Sequence, residues 1–261
     1  MTALSKLKYV LATIFFLVAC ILTTAFQAKI NCKYDVVVLN FTYAVLFTSA
    51  FLFGGVVTGI AGVFGISMYV LLKNQSAWLA LLGLVIGLVF GIITKLTTYL
   101  IDNKKLDKKA LLISAGVFFI ALGVIFTVAY ASFDGHYYIE QSSSIFVRIY
   151  PAQFVLAYII GVMFICSAVF INKFKENLQD MASIAAFVST SAIVVYGIVC
   201  WLSSIKNTSF AGTLAKAYKT YFLDFSISIM AGLLIAVAIY ILGVVALEIR
   251  LKIKNMLKDA E

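Results

Sequence analysis

Long apolar blocks, nearly free of charge, constrain this chain more than any motif does. One starts with "YVLATIFFLVACILTTAF" from residue 9, one fills residues 36 to 72, and others recur as far as residue 248. A bilayer crossing needs roughly 20 consecutive apolar residues. The chain is 64% hydrophobic and 12% charged, whereas a soluble domain carries about a quarter charged residues. The reading is an all-α polytopic membrane helix bundle, with no soluble domain of useful size.

The blocks predict about eight spans: 9–27, 35–53, 55–73, 77–100, 110–132, 151–172, 183–204 and 225–248. Residues 36–72 are too long for one crossing, and "FGG" at 53–55 is the only punctuation. The first block follows a basic start and resembles a signal peptide, but its length predicts a retained helix. With eight spans and both termini cytoplasmic, Lys6, Lys8, "DNKKLDKK" (102–109), Lys173, Lys175 and the Arg250–Lys258 tail all face the cytoplasm. Fewer basic residues (Lys29, Lys33, Lys73, Arg148, Lys206, Lys216 and Lys219) fall outside. This obeys the positive-inside rule, and merging spans two and three would violate it. The net charge of +9 is thereby a matter of topology and of anionic lipid headgroups, not of nucleic acid.

Two external segments stand out. Residues 132–151 carry Asp134, His136, Glu140 and Arg148. In 205–224, Phe210, Leu214, Tyr218, Tyr221 and Phe222 recur at helical spacing, which predicts an amphipathic helix over about 209–222 lying at the membrane surface. The cytoplasmic tail, 249–261, places Ile249, Ile253 and Met256 on one stripe and Arg250, Lys254 and Lys258 on another. That stripe suits docking on a partner protein or on lipid.

In "GLVIGLVFGIITK", Gly83, Gly87 and Gly91 recur at every fourth position, and the next step is Lys95. Gly55, Gly59 and Gly62, with Gly65, share a face of the preceding span. Small residues let helix backbones approach in lipid, so these faces predict a tightly packed hairpin. The alternative is that glycine clears room beside a ligand or lets two helices slide. Lys95 either snorkels to the headgroups or meets an anion inside the bundle. Asn40, Tyr43, Gln153 and Tyr158, with His136 and Arg148, are candidates to line an outward-facing polar ligand cavity. Interhelical hydrogen bonding is the plainer role for them.

Enzyme signatures are missing. There is no HExxH, nucleophile elbow or Walker loop, and a single histidine gives no histidine-paired metal centre. Cys20, Cys32, Cys166 and Cys200 form no CxxC pair. The expectation is a non-enzymatic protein with no cofactor.

Residues 51–95, "FLFGGVVTGIAGVFGISMYVLLKNQSAWLALLGLVIGLVFGIITK", resemble the glycine-rich hairpin of the five-transmembrane sensor region in LytS-type histidine kinases. They also resemble S components of energy-coupling-factor transporters. The first resemblance implies a ligand- or lipid-binding sensory module of a bacterial cell membrane, signalling through its C-terminal cytoplasmic helix to an output partner. The second implies a small-solute transporter subunit with an ATPase partner. A membrane scaffold or assembly subunit is the third reading.

Overall fold

With no water at bilayer depth to satisfy peptide groups, an apolar chain closes its backbone bonds within helices. The computed structural model describes residues 3–31, 36–72, 77–103, 105–132, 151–205 and 209–258. Its elements run α1 (Ala3–Ala25), β1 (Gln27–Asn31), β2 (Val36–Asn40), α2 (Thr42–Phe53), α3 (Gly55–Leu72), α4 (Ala77–Asp102), α5 (Lys108–Ser132), α6 (Pro151–Phe170), a single 3₁₀ turn (Ile171–Lys173), α7 (Glu176–Ile205) and α8 (Ser209–Lys258). All the helices but α2 contain a stretch long and apolar enough to cross a membrane, which makes seven among the described residues. The protein is a multi-pass helical membrane bundle.

Helix starts follow local chemistry. Asp107 Oδ1 accepts from the N–H groups of Lys109 and Ala110 at 2.9 and 3.2 Å, capping α5. Pro151 opens α6, where its missing N–H costs nothing. The two ends of the bundle differ. One carries the loops with Lys105, Lys108, Lys173 and Lys175, and is called the basic end here. The other carries the antiparallel β1–β2 hairpin, in which Gln27 pairs with Asn40.

Two expected segments take a different form. The predicted helix over 35–53 is part strand: β2 holds Val36–Asn40, and α2 has only 12 residues. The run Val36, Val37, Val38 explains this, because β-branched side chains favour extended backbone. The span predicted over 9–27 likewise ends at Ala25, and Gln27 belongs to β1. Residues 209–222, expected as a separate helix, are helical as part of one 50-residue helix that continues through the last span and the tail. No proline interrupts residues 209–258, so nothing forces a break.

The α2–α3 turn is glycine-dependent. Gly54 has φ 75° and ψ −171°, a region that is essentially glycine's alone. Its N–H donates to Ala50 O at 3.2 Å, and the hydroxyls of Ser49 and Thr58 meet at 2.9 Å across the turn. Core packing runs through Phe47, Phe90, Phe119, Phe164, Met230 and Leu233, all buried.

Candidate functional site

Two helix pairs frame the bundle, and glycine sets how closely each packs. In the first, α3 and α4 approach at Gly55, Gly59, Gly62, Gly83, Gly87 and Gly91. A Cβ built on Gly62 would stand 2.7 Å from Gly87 Cα, and one on Gly91 would stand 2.6 Å from Gly59 Cα. Gly87 lies against the Val63 backbone, Gly83 against Ile66, and Gly55 against the backbones of Gly91 and Lys95. Lys95 is exposed, at one end of an open crease of about 310 Å³ lined by Gly55, Gly59, Ile60, Leu88 and Gly91. The second pair, α5 and α6, uses Gly116, Gly161 and Gly123. A Cβ on Gly116 would meet Gly161 O at 3.0 Å, and Gly123 takes the Tyr158 ring. The Tyr158 hydroxyl lies 3.0 Å from Thr127 Oγ1. The spacing of Gly116 and Gly123, two turns apart on one face, was a usable signal for this pair.

The polar candidates separate. Asn40 and Gln153 both converge on α8: the Asn40 N–H donates to Ser228 Oγ at 3.0 Å, and Gln153 Nε2 donates to Ser226 Oγ at 3.1 Å. Asn40 Oδ1 also accepts from the Thr42 N–H at 2.9 Å, turning the strand into α2. Gln153, Ser226 and Ser228 are buried. Tyr43 packs 6.0 Å from the Phe90 ring centroid, and its Cβ lies where a side chain on Gly232 of α8 would have to go. Tyr158 faces α5 instead, away from this cluster. His136 and Arg148 lie outside the described residues. Asn40, Tyr43 and Gln153 thus all meet α8 between Ser226 and Gly232. The alternation of serine and apolar residues in "FSISIM" (225–230) was the overlooked sign of their partners.

A space more enclosed than the α3–α4 crease lies at the basic end. Helices α6 and α7 are joined by a short turn, yet they diverge and α8 fills only part of the gap. A crevice of about 330 Å³ remains, lined by Met163, Phe164 and Ser167 of α6, Phe174, Leu178, Met181, Ala182 and Ala185 from the turn and α7, and Val237, Ile241, Val244, Val245 and Glu248 of α8. The turn is held by Gln179, whose Nε2 donates to Ile171 O and Phe174 O, both at 2.9 Å. Lys175 Nζ donates to Glu248 Oε1 at the rim. Nearby, Lys108 pairs with Asp180 at 2.6 Å and ties α5 to α7.

No family model, curated protein or solved structure matches this chain.

Proposed function

We propose that this protein is a non-enzymatic sensory or regulatory module of a cell membrane. It binds a lipid or other small amphiphilic ligand and reports through the C-terminal end of α8 to a cytoplasmic partner. One observation carries the reading: α8 is a single helix from Ser209 to Lys258 that joins the buried contacts of Asn40 and Gln153, the crevice and the basic tail. A ligand that binds one placement of α8 better than another shifts the population of both ends of that helix. The exposed residues Ile239, Leu242, Ala246 and Ile249 recur at three-then-four spacing, which the sequence continues to Ile253 and Met256. That seam suits a partner helix. The resemblance of 51–95 to LytS-type sensor hairpins points the same way.

The topology goes with the proposal: eight crossings with the basic end in the cytoplasm. Strand β2 adds about 16 Å of extended chain to the roughly 18 Å of α2, so 36–53 crosses as a strand–helix composite. Strand backbone at that depth needs protein cover, which β1 and Ser228 supply. Lys95 then needs no buried anion. The rings of Tyr9 and Phe53 lie 6.2 Å apart and Gly55 abuts Lys95, so Lys8, the Gly54 turn and Lys95 share one layer. Helix α4 is about 39 Å long, longer than the hydrocarbon core of about 30 Å. With its last two turns in the headgroups, Lys95 lies at the boundary.

Two experiments test this. A cysteine at residue 106 should be protected from an impermeant thiol reagent in intact cells, while one at 142 should label; the reverse pattern ends the topology. Full-length protein and its Leu242→Arg variant should then be purified in mild detergent. Loss of a kinase or cyclase from the variant supports sensing, loss of an ATPase favours the transporter reading, and no change removes the role of α8.

A further inference from the structure

We infer that the open crease between α3 and α4 holds one acyl chain of an anionic phospholipid, with the lipid phosphate on the Lys95 ammonium. The site rests on the lipid-binding part of the reading above, names the class of lipid and needs nothing of α8. The crease has a volume of about 310 Å³. Gly55, Gly59 and Gly91 leave its floor without side chains, and Val56, Ile60 and Ile92 flank it. Val56 is 60% and Ile92 63% exposed, so the crease opens away from the bundle, toward lipid. Its length suits one leaflet. Gly55 abuts Lys95 at one end, and Phe64 lines the other. Between them α3 rises about 14 Å, close to half of the roughly 30 Å hydrocarbon core.

The headgroup class follows from charge. Among the described residues lining the crease, Lys95 alone is charged. It has no carboxylate or hydrogen-bond partner among the described residues, whereas Lys108 and Lys175 are paired with Asp180 and Glu248. The next acid along α4 is Asp102, about 10 Å of helix rise farther out and beyond the reach of an ion pair. A lone cation at the hydrocarbon boundary thus stands at the end of the groove that takes the chain, where the phosphate of that lipid lies. The preference needs no dry site. One exposed lysine near the membrane surface favours anionic lipid by roughly fivefold. A choline head carries its own cation beside the phosphate and offsets that attraction.

The test is native mass spectrometry of the full-length protein in detergent, titrated with palmitoyl-oleoyl lipids bearing glycerol or choline heads. The wild type should hold its first glycerol-headed lipid roughly fivefold more tightly than the choline-headed one. Lys95→Gln should abolish that preference, and Lys95→Arg should keep it. Lys109→Gln removes an exposed cation of the basic end outside the crease and should also keep it. Ile60→Trp should weaken binding of both lipids by filling the crease, and Val56→Trp serves if Ile60→Trp does not melt cooperatively. Equal affinity for the two heads in the wild type, a preference that survives Lys95→Gln, or one lost equally in Lys109→Gln overturns the assignment. So does unchanged binding once the crease is filled. The measurement needs no partner protein. Its failure leaves signalling through α8 open for other ligands, and loss of the α8 signalling role leaves the lipid result standing.

Discussion

Two successive stretches of α8 are alike in composition and opposite in surroundings. From Ser226 to Ala236 the helix is buried on nearly every side: Ile229, Met230, Leu233 and Ala236 are each 0% exposed. From Val237 to Leu251 it is bare on most sides, with Leu242 68% and Leu247 58% exposed. Glycine shows the same contrast. A Cβ on Gly232 would stand 2.8 Å from Ala44 N and from Tyr43 Cβ, whereas one on Gly243 would meet nothing within 4 Å. Leucine and valine are equally content in lipid and in protein, so composition does not say which part is held. Close backbone approach and paired hydroxyls make the difference. The stretch Ser226–Ala236 is an anchor, and Val237–Leu251 is free to meet lipid or a partner.

The largest test of this contrast is at the two glycines. Gly232→Leu should cost about 3 kcal/mol by overpacking against α2, while Gly243→Leu should stay within about 0.5 kcal/mol. Thermal melting in one detergent compares them directly, and equal melting temperatures would erase the contrast. Next is the leucine pair: Leu233→Ala should lose about 2 kcal/mol of packing, and Leu242→Ala almost none, by the same assay. Gln153→Leu should cost roughly 1–2 kcal/mol, because the buried Ser226 hydroxyl loses a partner. Adding Ser226→Ala should recover part of that loss, and a double variant no better than the single one would mean that the hydrogen bond is incidental. The smallest effect belongs to the C-terminal part. Glu248→Gln should shift stability by no more than about 0.5 kcal/mol, since both members of its ion pair are well exposed. A larger loss on melting would mean that this part is anchored after all.

Some of this was legible in the sequence. The every-fourth glycines of 83–91 and the shared face of Gly55, Gly59 and Gly62 are visible as spacings, and the short link at 73–76 makes the two helices neighbours. The strand at Val36–Asn40 was open to reading from three consecutive valines, but apolar runs of that length look the same as helix by hydropathy. The polar candidates were visible singly, but not how they group. Asn40 and Gln153 share α8 as a partner, while Tyr158 turns to Thr127 on α5. Side-chain direction over three helices decides that grouping, and no local pattern encodes it. The crevice was invisible for the same reason. It exists because α6 and α7 diverge, and its lining comes from positions scattered between Met163 and Glu248.

The sequence by itself determined that this is a multi-pass membrane protein, because hydrocarbon thickness and the cost of unpaired peptide groups act on any apolar block regardless of its neighbours. It also determined where small residues line a helix face. The tertiary structure alone decided which faces meet, that the last segments form one continuous helix, and that Ser226–Ala236 of that helix is gripped while Val237–Leu251 stands bare. Those outcomes depend on distances between residues far apart in the chain, and contact in lipid is governed by shape more than by hydrophobicity.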